Sequence, residues 1–256
     1  TMDLPGRQDE LVRRITAANP RTAVVVNAGS PVTMDWAADD DPDRAPAVLT
    51  SFFAGQEQAE GLVDVLLGVA DPGGRLPTTI PKRLADHPAY LHHRPDHDSN
   101  GIGTQRYGEG LFMGYRGYDA RDLAPRFAFG HGLSYGTTSW GTPTASATTI
   151  DAAGLGTVSV TVPVSATSDR DATVVVQGYV APVAPTAQRP PKELKAWSKQ
   201  VVAAGSTVEV RLDFGPDAFH RWDTATNDWV VEPGEYDLVI AASAADEHAR
   251  HRITIT

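Results

Sequence analysis

Apolar positions follow two different rhythms along this chain. In the first half the rhythm is helical where it exists. "DLPGRQDELVRRITAANP" places Leu11, Ile15 and Ala18 four and three residues apart, which predicts one apolar helix face, and Pro20 closes that helix. "TAVVVNAGSP" reads as a short buried strand ending in a turn, and "APAVLTSFFAG" as a second buried strand. "QEQAEGLVDVLLGVADPGG" returns to the helical period, with Ala59, Leu62, Val63, Leu66 and Leu67 on one face and "DPGG" as the stop. Helix, strand, strand, helix predicts part of an α/β layered domain. Residues 86–105, "DHPAYLHHRPDHDSNGIGTQ", have no period and are rich in His, Asp, Pro and Gly. They read as a long surface loop, of the kind that often lines a functional site.

From about residue 141 the period falls to two. "TVSVTVPVSAT", "ATVVVQGYVA", "STVEVRLDF", "DWVVEPGEYDLVIAAS" and "RHRITIT" alternate apolar and polar residues, with turn signals at "SDRD", "AAGS", "TATND" and "EPGE". Some seven short strands in about 110 residues predict an antiparallel β-sandwich of immunoglobulin or fibronectin type. "GTPTASATTIDAAG" is expected to carry the linker and first strand. The expected fold class is therefore α/β plus all-β, with a partial α/β sandwich domain over 1–140 and the β-sandwich over 141–256.

Charge and composition narrow the functions. A net charge of −10 and a pI near 5.2 argue against nucleic-acid or anionic-membrane partners, which need a positive surface. The absence of cysteine excludes disulfides and thiolate metal sites. No apolar run approaches the roughly 18 residues needed to span a bilayer. The opening "TMDLPGRQDE" has neither an initiator Met at position 1 nor a signal peptide, so a cut or processed product is expected.

Three segments are candidates for chemistry. In "RYGEGLFMGYRGYDA", Glu109 lies between two glycines, with Tyr107, Phe112, Tyr115 and Tyr118 nearby. A carboxyl half-buried among such rings can acquire the raised pKa of a general acid. Glu109 can equally be an ionised carboxylate that holds the loop through backbone N–H groups, Arg106 or Arg116. His87, His92, His93 and His97 with Asp96 and Asp98 supply zinc-ligand residue types, but at no metal-site spacing and interrupted by Pro88 and Pro95; a solvated loop is the better reading and no metal is expected. In "GSPVTMDW", Asp35 beside Trp36 could grip a sugar, the ring stacking on C–H groups while the acid binds hydroxyls, or Trp36 could simply pack. "GIG" at 101–103 is too short for a phosphate loop, and no G-x-S-x-G elbow, P-loop or H-E-x-x-H occurs.

The segments "LPGRQDELV", "VVVNAGSPVTMDW", "FFAGQEQAEGLVDVLLGVADPGGRLPTTIPK", "YGEGLFMGYRGYD" and "FAFGHGLSYGTTSW" together resemble the C-terminal portion of a glycoside hydrolase family 3 enzyme, the β-glucosidase and β-xylosidase group. "QGYVAPVAPTAQRPPKELKAWSKQVVAAGSTVEVRLDF" and "WVVEPGEYDLVIAASAAD" resemble the fibronectin type III-like domain that ends many members. Two departures stand out: "TSDRDATV" replaces an Asn-x-Gly turn, and "QGYV" replaces an aliphatic-Tyr-Val run.

The resemblance implies a retaining exo-β-glycosidase that needs no cofactor. Its aspartate nucleophile lies in an N-terminal barrel and its glutamate acid/base lies just upstream of the "LP–x–x–Q" helix. Both would then fall outside these residues, leaving this chain inactive without the barrel part, its expected partner besides a β-glycoside substrate. Glu109 would be mainly structural, with loop 86–105 and the aromatics near Tyr107 shaping the aglycone side. The contrasting reading is a non-catalytic, carbohydrate-associated or scaffold fragment.

Overall fold

The structure, a computed structural model, describes residues 1–93, the backbone of 96–97, and residues 103–256. These form two compact units: residues 1–70, 77–118 and 123–128 make the first, and residues 71–76, 119–122 and 129–256 the second. Among the described residues no helix is long and apolar enough to cross a membrane.

The first unit keeps the predicted element order: α1 (Gln8–Ala18), β1 (Ala23–Val26), β2 (Ala47–Thr50) and α2 (Gln58–Leu66). Strands β1 and β2 pair in parallel, Ala23 opposite Ala47 through Val26 opposite Thr50. The crossover between them holds one short 3-10 turn, Asp35–Ala37, instead of a helix. Its buried apolar residues are few: Met34, Trp36 and Ile80 are sealed from solvent, with Val26, Tyr118 and several alanines.

Burial reverses the expected helix orientation. Helix α1 turns Thr16 inward, while Leu11 and Ile15 are 56% and 47% exposed. The cause is a polar tether, because the Trp36 indole N–H donates to Asp9 Oδ1 at 2.8 Å and draws the Asp9 side of α1 onto the small core. Helix α2 buries no residue, and Leu66 and Leu67 face solvent. Strands β1 and β2 are only partly buried and, among the described residues, pair only with each other. Two apolar helix faces and two strand edges are thus open, a surface that soluble monomers seldom present.

The first unit also holds strands β3 (Asp96–His97) and β4 (Gly103–Thr104) and the start of helix α3 (Tyr115–Ala120), and the second unit holds the remaining strands. These are β5 (Thr138–Trp140), β6 (Thr144–Ala145), β7 (Thr149–Ile150), β8 (Val158–Ala166), β9 (Ala172–Pro182), β10 (Glu193–Val202), β11 (Thr207–Phe214), β12 (His220–Asp223), β13 (Asp228–Val231), β14 (Gly234–Ser243) and β15 (Asp246–Ile255). One sheet runs β10-β9-β14-β15-β7 and the other β11-β8-β5, with β6 also on β8. Strand β8 alternates perfectly, its valines 158, 160, 162 and 164 buried against Leu212, Phe214, Leu238, Ile240 and Ile253. Pro163 is tolerated in this inner strand because it sits where the neighbouring strand breaks between β5 and β6; its carbonyl accepts from Gly141 N at 2.8 Å and no N–H is required there.

Two motifs quoted for the family resemblance meet inside this unit. Asp71 of "DPGG" accepts from the Ser134 hydroxyl at 2.8 and 2.9 Å, from Tyr135 N at 2.7 Å and from Thr173 N at 3.0 Å. Arg75 donates to the Thr173 carbonyl at 3.1 Å. "DPGGRLP" and "GHGLSYG" are therefore polar clasps at the start of β9. Gln177, the departure in "QGYV", is buried and satisfied: its amide N–H donates to the Gly130 and Ala242 carbonyls at 3.1 and 2.8 Å, and its oxygen accepts from the Tyr179 hydroxyl at 2.6 Å. Gly130, at φ +80°, is required there, since a Cβ would lie 2.4 Å from that amide.

Candidate functional site

The segment from Arg83 to Tyr118, in the first unit, carries the sequence-predicted chemistry. Its described residues are more ordered than a plain loop. Leu84–Asp86 forms a 3-10 turn, and the Arg83 guanidinium holds the buried Asp86 carboxylate at 2.8 Å. Two further turns follow, Tyr90 N donating to the His87 carbonyl and His92 N to the Ala89 carbonyl, both at 2.9 Å. His87 Nδ1 accepts from Ala89 N at 3.2 Å, so a local backbone contact occupies that nitrogen. Strands β3 and β4 then pair antiparallel, Asp96 opposite Thr104 and His97 opposite Gly103. The side chains of Asp96 and His97, together with Pro95, Asp98, Gly101 and Ile102, lie outside the described residues. Among the described residues no group of three or more His, Asp or Glu side chains could hold a metal ion.

Glu109 sits in the tight turn that follows. Gly110 N donates to the Tyr107 carbonyl at 3.1 Å and Phe112 N to the Glu109 carbonyl at 2.9 Å, with Gly110 at φ +53°. Two close approaches fix this turn. The His92 ring lies over Gly108, where a Cβ would come within 2.3 Å of ring atoms, and the Gln105 amide donates to the His92 carbonyl. Gly117, in α3, faces the Phe112 carbonyl and Pro88, and a Cβ there would lie 2.2 Å from that oxygen. Glycines 108 and 117 therefore set the path of the chain on either side of Glu109.

The carboxylate is half-buried, and its Oε2 atom is sealed from water with no hydrogen-bond partner among the described residues. The aromatic setting is partial: Tyr118 is buried, Phe112 and Tyr115 are half-buried, and Tyr107 is 78% exposed. Glu109 thus has a fixed backbone and one dry, unpaired oxygen.

Trp36 resolves the other candidate. Its ring is fully buried and its N–H is committed to Asp9, so neither face can meet a sugar. Asp35 projects into solvent, 3.6 Å from Arg126 Nη2. Sequence reasoning did not single out the residues that hold the scaffold, Asp71, Gly117 and Gln177. For Asp71 the signal was the "DPGG" stop itself, read only as a turn. For Gln177 it was the departure from an aliphatic residue in an otherwise apolar run.

The chain matches known proteins along nearly all of its length. The family model described as the glycosyl hydrolase family 3 C-terminal domain covers residues 1–135, and the fibronectin type III-like domain model covers residues 174–244. A beta-glucosidase of Rhizobium radiobacter is 40% identical over 248 residues, which is 97% of this chain and 29% of that protein. A probable beta-glucosidase I of Aspergillus fumigatus is 38% identical over 94% of this chain and 28% of its own length. Among solved structures, the GH3 beta-glucosidase of Bifidobacterium adolescentis superposes with a TM-score of 0.87 at 36% identity, covering 100% of this chain and 36% of that one. This chain spans less than a third of the curated relatives it matches. It belongs to glycosyl hydrolase family 3, as a C-terminal domain followed by a fibronectin type III-like domain.

Proposed function

We propose that this chain is the C-terminal part of a retaining exo-β-glycosidase of the β-glucosidase type, completed by a barrel-containing part that brings both catalytic carboxyls. The observation that carries this reading is the match to beta-glucosidases over almost the whole of this chain but only 28–29% of theirs. The site geometry agrees. Retaining hydrolysis takes two carboxyl groups about 5–5.5 Å apart, one to attack C1 and one to protonate the leaving oxygen. Among the described side chains of the Arg83–Tyr118 segment, Glu109 stands in a glycine-bounded turn and Asp86 is paired with Arg83.

The open faces of α1 and α2 and the free edges of β1 and β2 support the same partner. A preceding segment that adds strands beside β1 and covers Leu11, Ile15, Val63 and Leu66 would complete the α/β layer through a large, apolar, obligate-type contact. In the assembled enzyme loop 86–105 and the aromatics near Tyr107 shape the aglycone side of the cleft, and the glycine-bounded turn at Glu109 sets the path of the chain there.

The test is covalent trapping. A 2-deoxy-2-fluoro-β-glucoside with a good leaving group stalls a retaining enzyme at the glycosyl-enzyme stage. Peptide mass spectrometry of the trapped, complete enzyme is expected to find the label on an aspartate of the barrel part. A label on any residue between 1 and 256 of this chain would overturn the assignment.

A further inference from the structure

One feature of the second unit has no part in hydrolysis as proposed. Strands β12 and β13 form a two-stranded ribbon outside both sandwich sheets, in register from His220 opposite Val231 to Asp223 opposite Asp228. Trp222 and Trp229 stand directly opposite each other on this ribbon. Their ring centroids are 5.5 Å apart at an interplanar angle of 78°, yet 46% and 61% of the two residues is exposed. Cross-strand aromatic pairs do stabilise ribbons. That role accounts for the contact between the rings but not for the area that both leave open to water.

We propose that Trp222 and Trp229 form a sugar-binding corner, separate from the hydrolytic site, that takes one β-linked pyranose residue of a soluble oligosaccharide. A β-glucose or β-xylose ring carries its hydroxyls equatorially and presents a flat array of C–H groups, which suits an exposed indole face. Because the two rings are nearly perpendicular, one supplies the floor and the other a side wall. This corner fits a single pyranose ring. It does not match the flat row of rings that would lie along a crystalline polysaccharide.

The ribbon is held in advance of any ligand. Arg221 spans from Asp223 at 3.2 Å to Glu232 at 3.6 Å. Thr226 donates to Asp223 at 3.0 Å, and Asn227 at φ +55° closes the tip. At the tip Asp223 and Asp228 are opposite in register, Asp223 held by Thr226 and Arg221 and Asp228 accepting from Trp229 N at 2.7 Å. Chemistry favours a sugar over other occupants: this is a family of glycoside hydrolases, the tip is acidic, and a neutral ligand rich in hydroxyl donors meets no repulsion there.

The experiment titrates the 256-residue chain with cellohexaose and xylohexaose, reading intrinsic tryptophan fluorescence and, in parallel, mobility in native gels containing soluble β-glucan. The expected result is a saturable fluorescence change and retardation in the gel. Trp229→Ala or Trp222→Ala should weaken both by about tenfold or more, as for truncation of an aromatic anchor. Trp229→Tyr, which keeps a stacking ring, should retain most of the binding, and equal unfolding midpoints of Trp229→Tyr and wild type control for ribbon damage. Unchanged binding in the Trp222→Ala/Trp229→Ala double variant, or no saturable response of the wild-type chain to either sugar, would overturn the proposal. Binding only to insoluble cellulose would overturn it too, because the corner then could not be a single-ring site. The trapping result described above depends on the barrel carboxyl and is unaffected by this outcome.

Discussion

Replacing Asp71 with alanine tests whether the "DPGG" and "GHGLSYG" motifs are structural clasps. In the native second unit the Asp71 carboxylate accepts from the Ser134 hydroxyl and from the backbone N–H groups of Tyr135 and Thr173. Thr173 is 6% exposed, so when the carboxylate is removed its N–H cannot turn to water and keeps only the neutral Ser134 hydroxyl oxygen, 3.0 Å away. Hydrogen bonds to a charged acceptor contribute about 1.5–3 kcal/mol, and here a neutral acceptor remains for the buried donor. Asp71 itself is half-buried, water can reach Tyr135 N, and Ser134 still accepts from Thr173, so the loss is discounted to about 1–2 kcal/mol for Asp71→Ala. Urea unfolding of the chain at pH 7 measures it.

The pH dependence of the same difference is a second readout. Burial, the largest single influence, pushes the Asp71 carboxyl up, but the hydrogen bonds from Thr173, Tyr135 and Ser134 together outweigh it and hold the carboxyl below its ordinary value. A carboxyl depressed in the folded state stabilises above its unfolded pKa and loses that contribution as pH falls through its folded pKa. The gap between wild type and Asp71→Ala should therefore be full at pH 7 and shrink progressively below about pH 4. A gap smaller than about 0.5 kcal/mol at pH 7, the scale of ordinary surface substitutions, would refute the clasp.

Three further outcomes follow from the geometry. Lys192 Nζ lies 2.8 Å from Glu247 and 3.4 Å from Asp119. Burial pushes both acids up; in Glu247 the bonds from Lys192 and Arg250 outweigh it, whereas in Asp119 burial prevails. Glu247→Gln should then cost about 1–2 kcal/mol at pH 7 and less below about pH 4. Asp119→Asn should cost less than Glu247→Gln at pH 7, both read by urea titration. Gly117→Ala places a Cβ 2.2 Å from a backbone oxygen that has no flexible side chain to move, so a loss of about 2 kcal/mol or more is expected in thermal unfolding of the first unit. Trp36→Phe removes the N–H that ties α1 and should lower stability by about 1–2 kcal/mol while leaving any glycoside affinity unchanged, checked by calorimetry and a binding titration.

How far the sequence reading reached depended on what each pattern records. Alternation along Val158–Ala166 records burial on one sheet face, and the structure follows it residue by residue. The helical stripe Leu11, Ile15, Ala18 records burial too, but not which molecule provides the cover, and among the described residues α1 buries its opposite side. Strand β10 escaped notice because its edge position carries Lys195, Lys199 and Gln200, and a bulge between Leu194 and Ala196 breaks its period. Glu109 was visible as a glycine-bounded acid. The reason for those glycines was not, because Gly108 answers to His92 and Gly117 to Pro88, contacts formed between turns distant in sequence. Trp36 beside Asp35 looked like a sugar clamp because adjacency in sequence says nothing of burial; the Asp9 acceptor that draws the indole inward lies 27 residues away.

The central claim is that hydrolysis here needs a pair of acids supplied from outside these residues, with Glu109 not one of the pair. The most direct measurement is turnover of an aryl β-glucoside by this chain alone, by the chain joined to its barrel-containing part, and by the joined form carrying Glu109→Gln. The account predicts no turnover by the chain alone, turnover by the joined form, and a Glu109→Gln enzyme that keeps the same pH–rate profile. Turnover by the lone chain that disappears on Glu109→Gln would contradict it.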